Sequence, residues 1–318
     1  MQKRGKTAGG KQRWLCVKCS RSHSLGHEAQ QKGRLLDRFV KWLLGKQAQS
    51  ELGVSERTWR AQISWCWKII PKPPLTGEIY PIILLDGIRI GSVVNLIART
   101  PKAVIGWHWA GWESSYTWAE LFDKFPAPTV VVCDGQKGVL LAIARCWPKA
   151  HVQRCIFHVW RNIRTKLSLH PQTEAGQELL NLAKVLLKGI YTKEGALIWQ
   201  QQLESWEQRY NSLIRERTCV VKPRPGQRKW WYTHGRLCSA YKQLDKLLGD
   251  NQLFTYLKTD LTPEQIPRTT NFVEGGINSQ LRTKLKFHRG MSEDHQHRLV
   301  EWYLYTRTED PKPPRNCL

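Results

Sequence analysis

Val130-Val131-Val132-Cys133-Asp134-Gly135 is the stretch on which the fold turns. An unbroken apolar, mostly β-branched run reads as a central strand buried on both faces, and here a carboxylate ends it. The same design stands at Pro81-Ile82-Ile83-Leu84-Leu85-Asp86-Gly87. A third acid, Glu274 in Thr269-Thr270-Asn271-Phe272-Val273-Glu274-Gly275, lies in a segment of helix-like composition. Acids so placed are natural ligands for hard divalent cations, which take oxygen donors. Each also has a plainer reading. Asp86-Gly87 between apolar runs is a hairpin signal, and Asn271-x-x-Glu274 is a capping box.

Outward from these runs, strands are expected over 82–85, 92–98 and 103–109, the first two joined at Asp86-Gly87. A helix over 115–125, a strand over 129–133, a helix over 139–146 and a short strand over 151–153 follow. Three strands, helix, strand, helix, strand is the order of a ribonuclease-H-like domain, and it sets the ends of the first and fourth strands side by side. Residues 155–262 read as mostly helical, interrupted at 221–231 by a Pro/Arg/Trp segment, and a further helix is expected over 271–285. A helix returning after that long insertion would bring Glu274 over the two aspartates.

The chain has 318 residues and a formal net charge of +24. Such a field attracts polyanions, either nucleic acid or an anionic membrane surface. No apolar stretch approaches the ~20 residues that span a bilayer, and the basic start Met1-Gln2-Lys3-Arg4 leads into no apolar stretch. Nucleic acid is therefore the expected partner, and a membrane is not. The 9 cysteines are odd in number and scattered, which fits a reducing cytosol. Among the 16 tryptophans several adjoin basic residues. Most are read as core, but Trp230-Trp231 beside Arg228-Lys229 is read as a platform for bases.

At the front, residues 1–26 are basic and hold Cys16-Val17-Lys18-Cys19, half of a four-ligand zinc site. A truncated ribbon, a local Cys2His2 site with His23 and His27, and no metal at all are the three readings. Residues 27–70 read as helices, with Leu52-Gly53-Val54-Ser55 as the turn of a helix-turn-helix. Ser55 would cap the second helix, Val54, Trp59 and Ile63 would face inward, and Arg57 and Arg60 would face outward. A plain helical hairpin is the rival. Pro71-Lys72-Pro73-Pro74 opens a stiff linker, 71–79. The remaining divisions are a catalytic core over 80–170, a helical insertion over 171–265, and a final segment over 266–318 that carries Glu274. The fold class is thus α/β: a ribonuclease-H-like domain interrupted by an all-α insertion and preceded by a helix-turn-helix domain and a partial zinc-ribbon-like segment.

Four segments together resemble the DDE transposases of bacterial insertion sequences related to the Mutator superfamily. They are Leu84-Leu85-Asp86-Gly87, Val132-Cys133-Asp134-Gly135-Gln136-Lys137-Gly138, Arg154-Cys155-Ile156-Phe157-His158, and the run from Thr269 through Glu274 to Asn278 and Arg282. The resemblance implies that Asp86, Asp134 and Glu274 bind two Mg²⁺ or Mn²⁺ ions and catalyse DNA cleavage and strand transfer. It implies double-stranded DNA as partner, at element ends and target, a homodimer or larger synaptic assembly, and a place in the bacterial cytoplasm at the nucleoid. The helix-turn-helix would then read the terminal repeat through Arg57 and Arg60. Arg224, Arg228, Lys229, Trp230 and Trp231 would touch flanking DNA, and Asn278 and Arg282 the scissile strand. Cys155 and His158 are implied to act near the active centre, with a structural or DNA-positioning role favoured over metal binding. The ribbon departs from the family pattern, because its first half would precede Met1: either translation begins upstream or the element has lost it. The different-class alternative is a decayed or domesticated transposase that binds DNA as a regulator without catalysis.

Overall fold

The computed structural model describes residues 1–24, 27–73, 76–221, 226, 229–270 and 276–318. The chain divides into two units, Met1–Pro74 with Asn278–Leu318, and Leu75–Ile277. The first begins with a three-stranded antiparallel sheet, β1 (Gln2–Lys6), β2 (Gln12–Leu15) and β3 (Ser22–Ser24), in that order. Helix α1 (His27–Leu44) buries Leu36, Phe39, Val40 and Leu43, whose spacing makes one apolar stripe. A 3-10 turn at Gln49–Leu52 ends at Gly53, whose φ of 70° is the left-handed conformation that glycine adopts without strain. Helix α2 (Glu56–Ile63) is capped by Ser55, whose hydroxyl accepts from the Thr58 amide at 3.2 Å. Trp59 and Ile63 are buried.

The second unit is built on five strands: β4 (Ile82–Ile90), β5 (Val93–Arg99), β6 (Val104–Ala110), β7 (Val130–Cys133) and β8 (His151–Arg154). Their order is β6-β5-β4-β7-β8. The pairs β4·β5 and β5·β6 are antiparallel, while β4·β7 and β7·β8 are parallel. Helices α3 (Ser115–Phe122), α4 (Lys137–Cys146) and α5 (Ile156–Leu167) alternate with the later strands. This mixed sheet followed by helices is consistent with a ribonuclease-H-like fold. Ile83 and Leu85 of β4 join Val131 and Cys133 of β7 in one core with Trp118, Phe122, Val139 and Ile143 from α3 and α4. Because side chains alternate along a strand, Leu84, Asp86 and Val132 take the opposite face.

Asp86-Gly87 is not a turn: β4 runs through it to Ile90, and the two-residue turn is Gly91-Ser92, with Ile90 paired to Val93. Ile88 and Ile90 continue the buried face after the acid, and Gly91, at φ 58°, supplies the positive φ that such hairpins need.

Beyond the sheet come α6 (Glu174–Lys188), α7 (Lys193–Arg215), the hairpin strands β9 (Arg217–Cys219) and β10 (Trp230–Tyr232), and α8 (Gly235–Gly249). Buried tryptophans bind the helices together. The Trp199 indole donates to the Leu182 carbonyl and that of Trp206 to the Ala175 carbonyl, both at 3.0 Å. At the ends of the segment expected to interrupt the helices, β9 and β10 pair antiparallel.

The chain's end returns to the first unit through α9 (Ser279–Phe287) and α10 (Glu293–Tyr305). Lys284 donates to the Leu44 carbonyl, the His288 ring meets the Leu43 carbonyl at 2.9 Å, and Arg298 donates to the Trp67 carbonyl at 2.9 Å. Trp67 stacks on His295 with ring centroids 3.7 Å apart. The unit boundary at Asn278 therefore falls inside the segment 266–318 that the sequence reading treats as one piece.

Candidate active site

Parallel pairing of β4 with β7 sets Ile82 beside Val130 and Leu84 beside Val132. Asp134 directly follows β7, so continuing this register two residues past Leu84 and Val132 would set it beside Asp86. Asp86 is 7% exposed and accepts from the Gly87 amide at 2.9 Å. Asp134 is half-buried and accepts from the Gln136 amide at 3.0 Å, which fixes the carboxylate as the chain turns towards α4. That turn depends on Gly135, at φ 75°. Arg154 lies over it and donates from Nε and Nη2 to the Asp134 carbonyl at 3.2 and 2.7 Å. A β-carbon on Gly135 would stand 1.8 Å from the guanidinium carbon, so no other residue fits this turn unless Arg154 moves.

A third carboxylate reaches this place that the sequence reading missed. Glu113, in the loop between β6 and α3, lies against Gly87, where a β-carbon would sit 2.7 Å from Oε1. Its carboxyl is raised above the usual range, first by burial and then by the negative charge of Asp134, while Arg89 and a hydrogen bond with Gln136 act in the opposite sense. Excess negative charge at a carboxylate cluster is the condition that a divalent cation relieves. The only local signal was an acid next to the helix cap Ser114; its approach to Gly87 is tertiary. Among the described residues no three His, Cys, Asp or Glu side chains form a metal-holding group.

Glu274 lies outside the described residues, as do Arg224 and Arg228. Thr270, the last described residue before Glu274, is fully buried and donates to the Cys155 sulfur from its amide at 3.2 Å and its hydroxyl at 3.3 Å. His158 is 4% exposed and hydrogen-bonds the same thiol. On the helical part of this unit Lys229, Trp230 and Trp231 are exposed, with the Arg217 guanidinium 4.0 Å over the Trp230 ring.

The other expected contacts belong to the first unit. Arg57 and Arg60 lie on the open face of α2, Arg60 paired with Glu56 at 3.2 Å. Asn278 is buried just before α9, and Arg282 is exposed on it. Cys16 and Cys19 occupy the β2–β3 turn, where the Cys16 amide donates to the Arg21 carbonyl at 2.9 Å. Hydrogen bonds with Cys19 hold the Cys16 thiol below its ordinary value. The side chains of His23 and His27 lie outside the described residues.

Residues 78–220 match the family described as Transposase, Mutator family. That span contains Asp86, Asp134, Cys155 and His158. The chain is 27% identical over 156 residues to the transposase for insertion sequence element IS905 of Lactococcus lactis, an alignment covering 42% of this chain and 38% of the relative. It is 28% identical over 119 residues to the transposase for insertion sequence element IS1201 of Lactobacillus helveticus, covering 36% of this chain and 31% of the relative. In each case the similarity covers about a third of the relative's length.

Proposed function

We propose that this chain, whose residues 78–220 match the Mutator transposase family, is a transposase of a bacterial insertion sequence that binds the terminal inverted repeats of its element and catalyses metal-dependent DNA strand cleavage and strand transfer. The observation that supports this reading is that Asp86 lies on β4 and Asp134 directly follows its parallel neighbour β7, with the Glu113 carboxyl raised by burial and then by the charge of Asp134. These oxygen donors fit Mg²⁺ or Mn²⁺. Asp86, Asp134 and Glu274 would hold two ions, which supply water activation and stabilisation of the leaving oxygen. The protein's own part is to keep the two aspartates fixed: Asp86 by the β4 ladder, and Asp134 by the Gln136 amide and the Arg154 guanidinium.

The first chemical step is hydrolysis of the phosphodiester at a transposon end. The freed 3′-hydroxyl then attacks a target phosphodiester, with no covalent link between protein and DNA. The net charge of +24 draws DNA in. The ribonuclease-H-like assignment, the reading of α1 and α2 as a helix-turn-helix with Arg57 and Arg60 facing the major groove, and the half-ribbon at Cys16 and Cys19 belong to this proposal. So do flanking-DNA contacts by Arg224, Arg228, Lys229, Trp230 and Trp231, backbone contacts by Asn278 and Arg282, and a dimer or larger assembly on DNA.

The test is purified protein with Mg²⁺ and a duplex carrying the inverted repeats that bracket the gene. Nicking that leaves a 3′-hydroxyl is expected. Asp86→Asn, Asp134→Asn and Glu274→Gln should each keep DNA binding and lose cleavage by about a thousandfold. Specific binding by the wild type without any cleavage would favour the non-catalytic regulator.

A further inference from the structure

The Cys155-x-x-His158 motif lies where the end of β7, just before Asp134, meets the segment 268–270. Cys155 follows β8 directly, and its amide donates to the carbonyl of Cys133, the residue before Asp134, at 2.8 Å. The next amide, of Ile156, donates to the Arg268 carbonyl at 3.0 Å. Two residues after Arg268, Thr270 turns both its amide and its hydroxyl to the Cys155 sulfur. Cys155 and Thr270 are both 0% exposed. A buried donor must find an acceptor, and sulfur is a weak one unless it carries negative charge. Burial alone would raise this thiol, but the hydrogen bond and charge of His158, followed by the two donors of Thr270, bring it below its ordinary value. His158 returns to the sulfur because it lies one helical turn after Cys155.

We propose that Cys155 is a positioning residue for Glu274: its sulfur, supported by His158, fixes Thr270 and so ties the chain leading into Glu274 to the end of the strand that carries Asp134. This rests on the reading that Asp86, Asp134 and Glu274 share one metal-dependent site. A core cysteine that only fills space would need no imidazole partner and no paired donors. The arrangement accounts for the two-residue spacing of the motif without any zinc, because one thiol and one imidazole serve a single hydrogen-bonded hub.

The experiment compares Cys155→Ala, Cys155→Ser and Thr270→Val with wild type in the full chain. Thr270→Val keeps the shape and removes one donor, so it remains informative if Cys155→Ala fails to fold. Four quantities are read: Mn²⁺ affinity by electron paramagnetic resonance, the Mg²⁺ concentration giving half-maximal end cleavage, end-DNA affinity, and amide exchange over 264–270. Cys155→Ala and Thr270→Val should weaken metal binding about tenfold or more, the scale found when groups that orient metal ligands are lost. Exchange over 264–270 should quicken, DNA affinity should hold, and Cys155→Ser, which keeps an acceptor, should recover most of the loss. Unchanged metal affinity and exchange in both variants would overturn the proposal. So would DNA affinity falling in step with cleavage, which marks general damage. If the wild type cleaves nothing, the functional reading fails, while the exchange comparison still decides whether Cys155 holds Thr270.

Discussion

The two units reach their structures by different routes. The sheet of Leu75–Ile277 is assembled from strands close in sequence, and the parallel register of β4 and β7 runs towards Asp86 and Asp134. The other unit joins the two ends of the chain: α10 packs with α1, and Arg298 bonds the Trp67 carbonyl across most of the sequence. Local pattern can specify the first arrangement. The second is set by long-range packing that no window of sequence displays, and its closure is correspondingly expensive in chain entropy.

The largest contrast is expected at two glycines. Gly135→Ala must accommodate a positive φ and also displace Arg154 from the Asp134 carbonyl. It should destabilise the second unit by about 2–4 kcal/mol and reduce end cleavage far more than DNA binding. Gly53→Ala has the same kind of backbone, φ 70°, but open space around it. It should cost only about 1 kcal/mol. Equal costs in chemical denaturation would show that Arg154 does not hold the turn.

Next in size is the cap of α2. Ser55→Ala removes the acceptor of the Thr58 amide and should cost about 1 kcal/mol, seen in exchange of 56–63 and not of β4. If α2 reads bases, Arg57→Ala and Arg60→Ala should each weaken end binding by about 1–3 kcal/mol. Loss of affinity for end and random duplex alike would instead make them phosphate contacts.

This contrast also explains what the sequence could tell. The runs 82–85 and 130–133 announced buried strands, and these lie adjacent and parallel, as their order implied. Ile88 and Ile90 were present to show that β4 continues, but Asp86-Gly87 carries a stronger turn signal than the pattern after it. Glu113 was illegible because its carboxylate meets Gly87 across a sheet, and no local spacing encodes that approach. The helical stripe Leu36, Phe39, Val40 and Leu43 was plain, yet nothing in it named α10 as its partner. Likewise the Pro/Arg/Trp segment announced an interruption of the helices without revealing that its flanks pair as strands.

The smallest effect is pH dependence, and it should fall on one unit. His288, His295 and His297 are all held below the usual histidine value, each chiefly by burial. A base whose folded pKa is depressed leaves stability intact above the unfolded value, about 6.5. As pH falls below it, the unfolded chain takes up protons that the fold resists, so stability declines. Amide exchange over 288–304, corrected for intrinsic rate, should therefore quicken between pH 7.5 and 5.5 more than exchange in β4 or β7. An equal change in both regions would remove the histidines as the cause.

The central claim, that the paired strand ends form a metal-binding centre, is tested most directly by titrating Mn²⁺ into the full-length protein without DNA and following free ion by electron paramagnetic resonance. The wild type should bind Mn²⁺, and Asp86→Asn and Asp134→Asn should each weaken that binding about tenfold or more, because a neutral amide replaces an anionic oxygen donor. Both variants binding Mn²⁺ as tightly as wild type would contradict the claim.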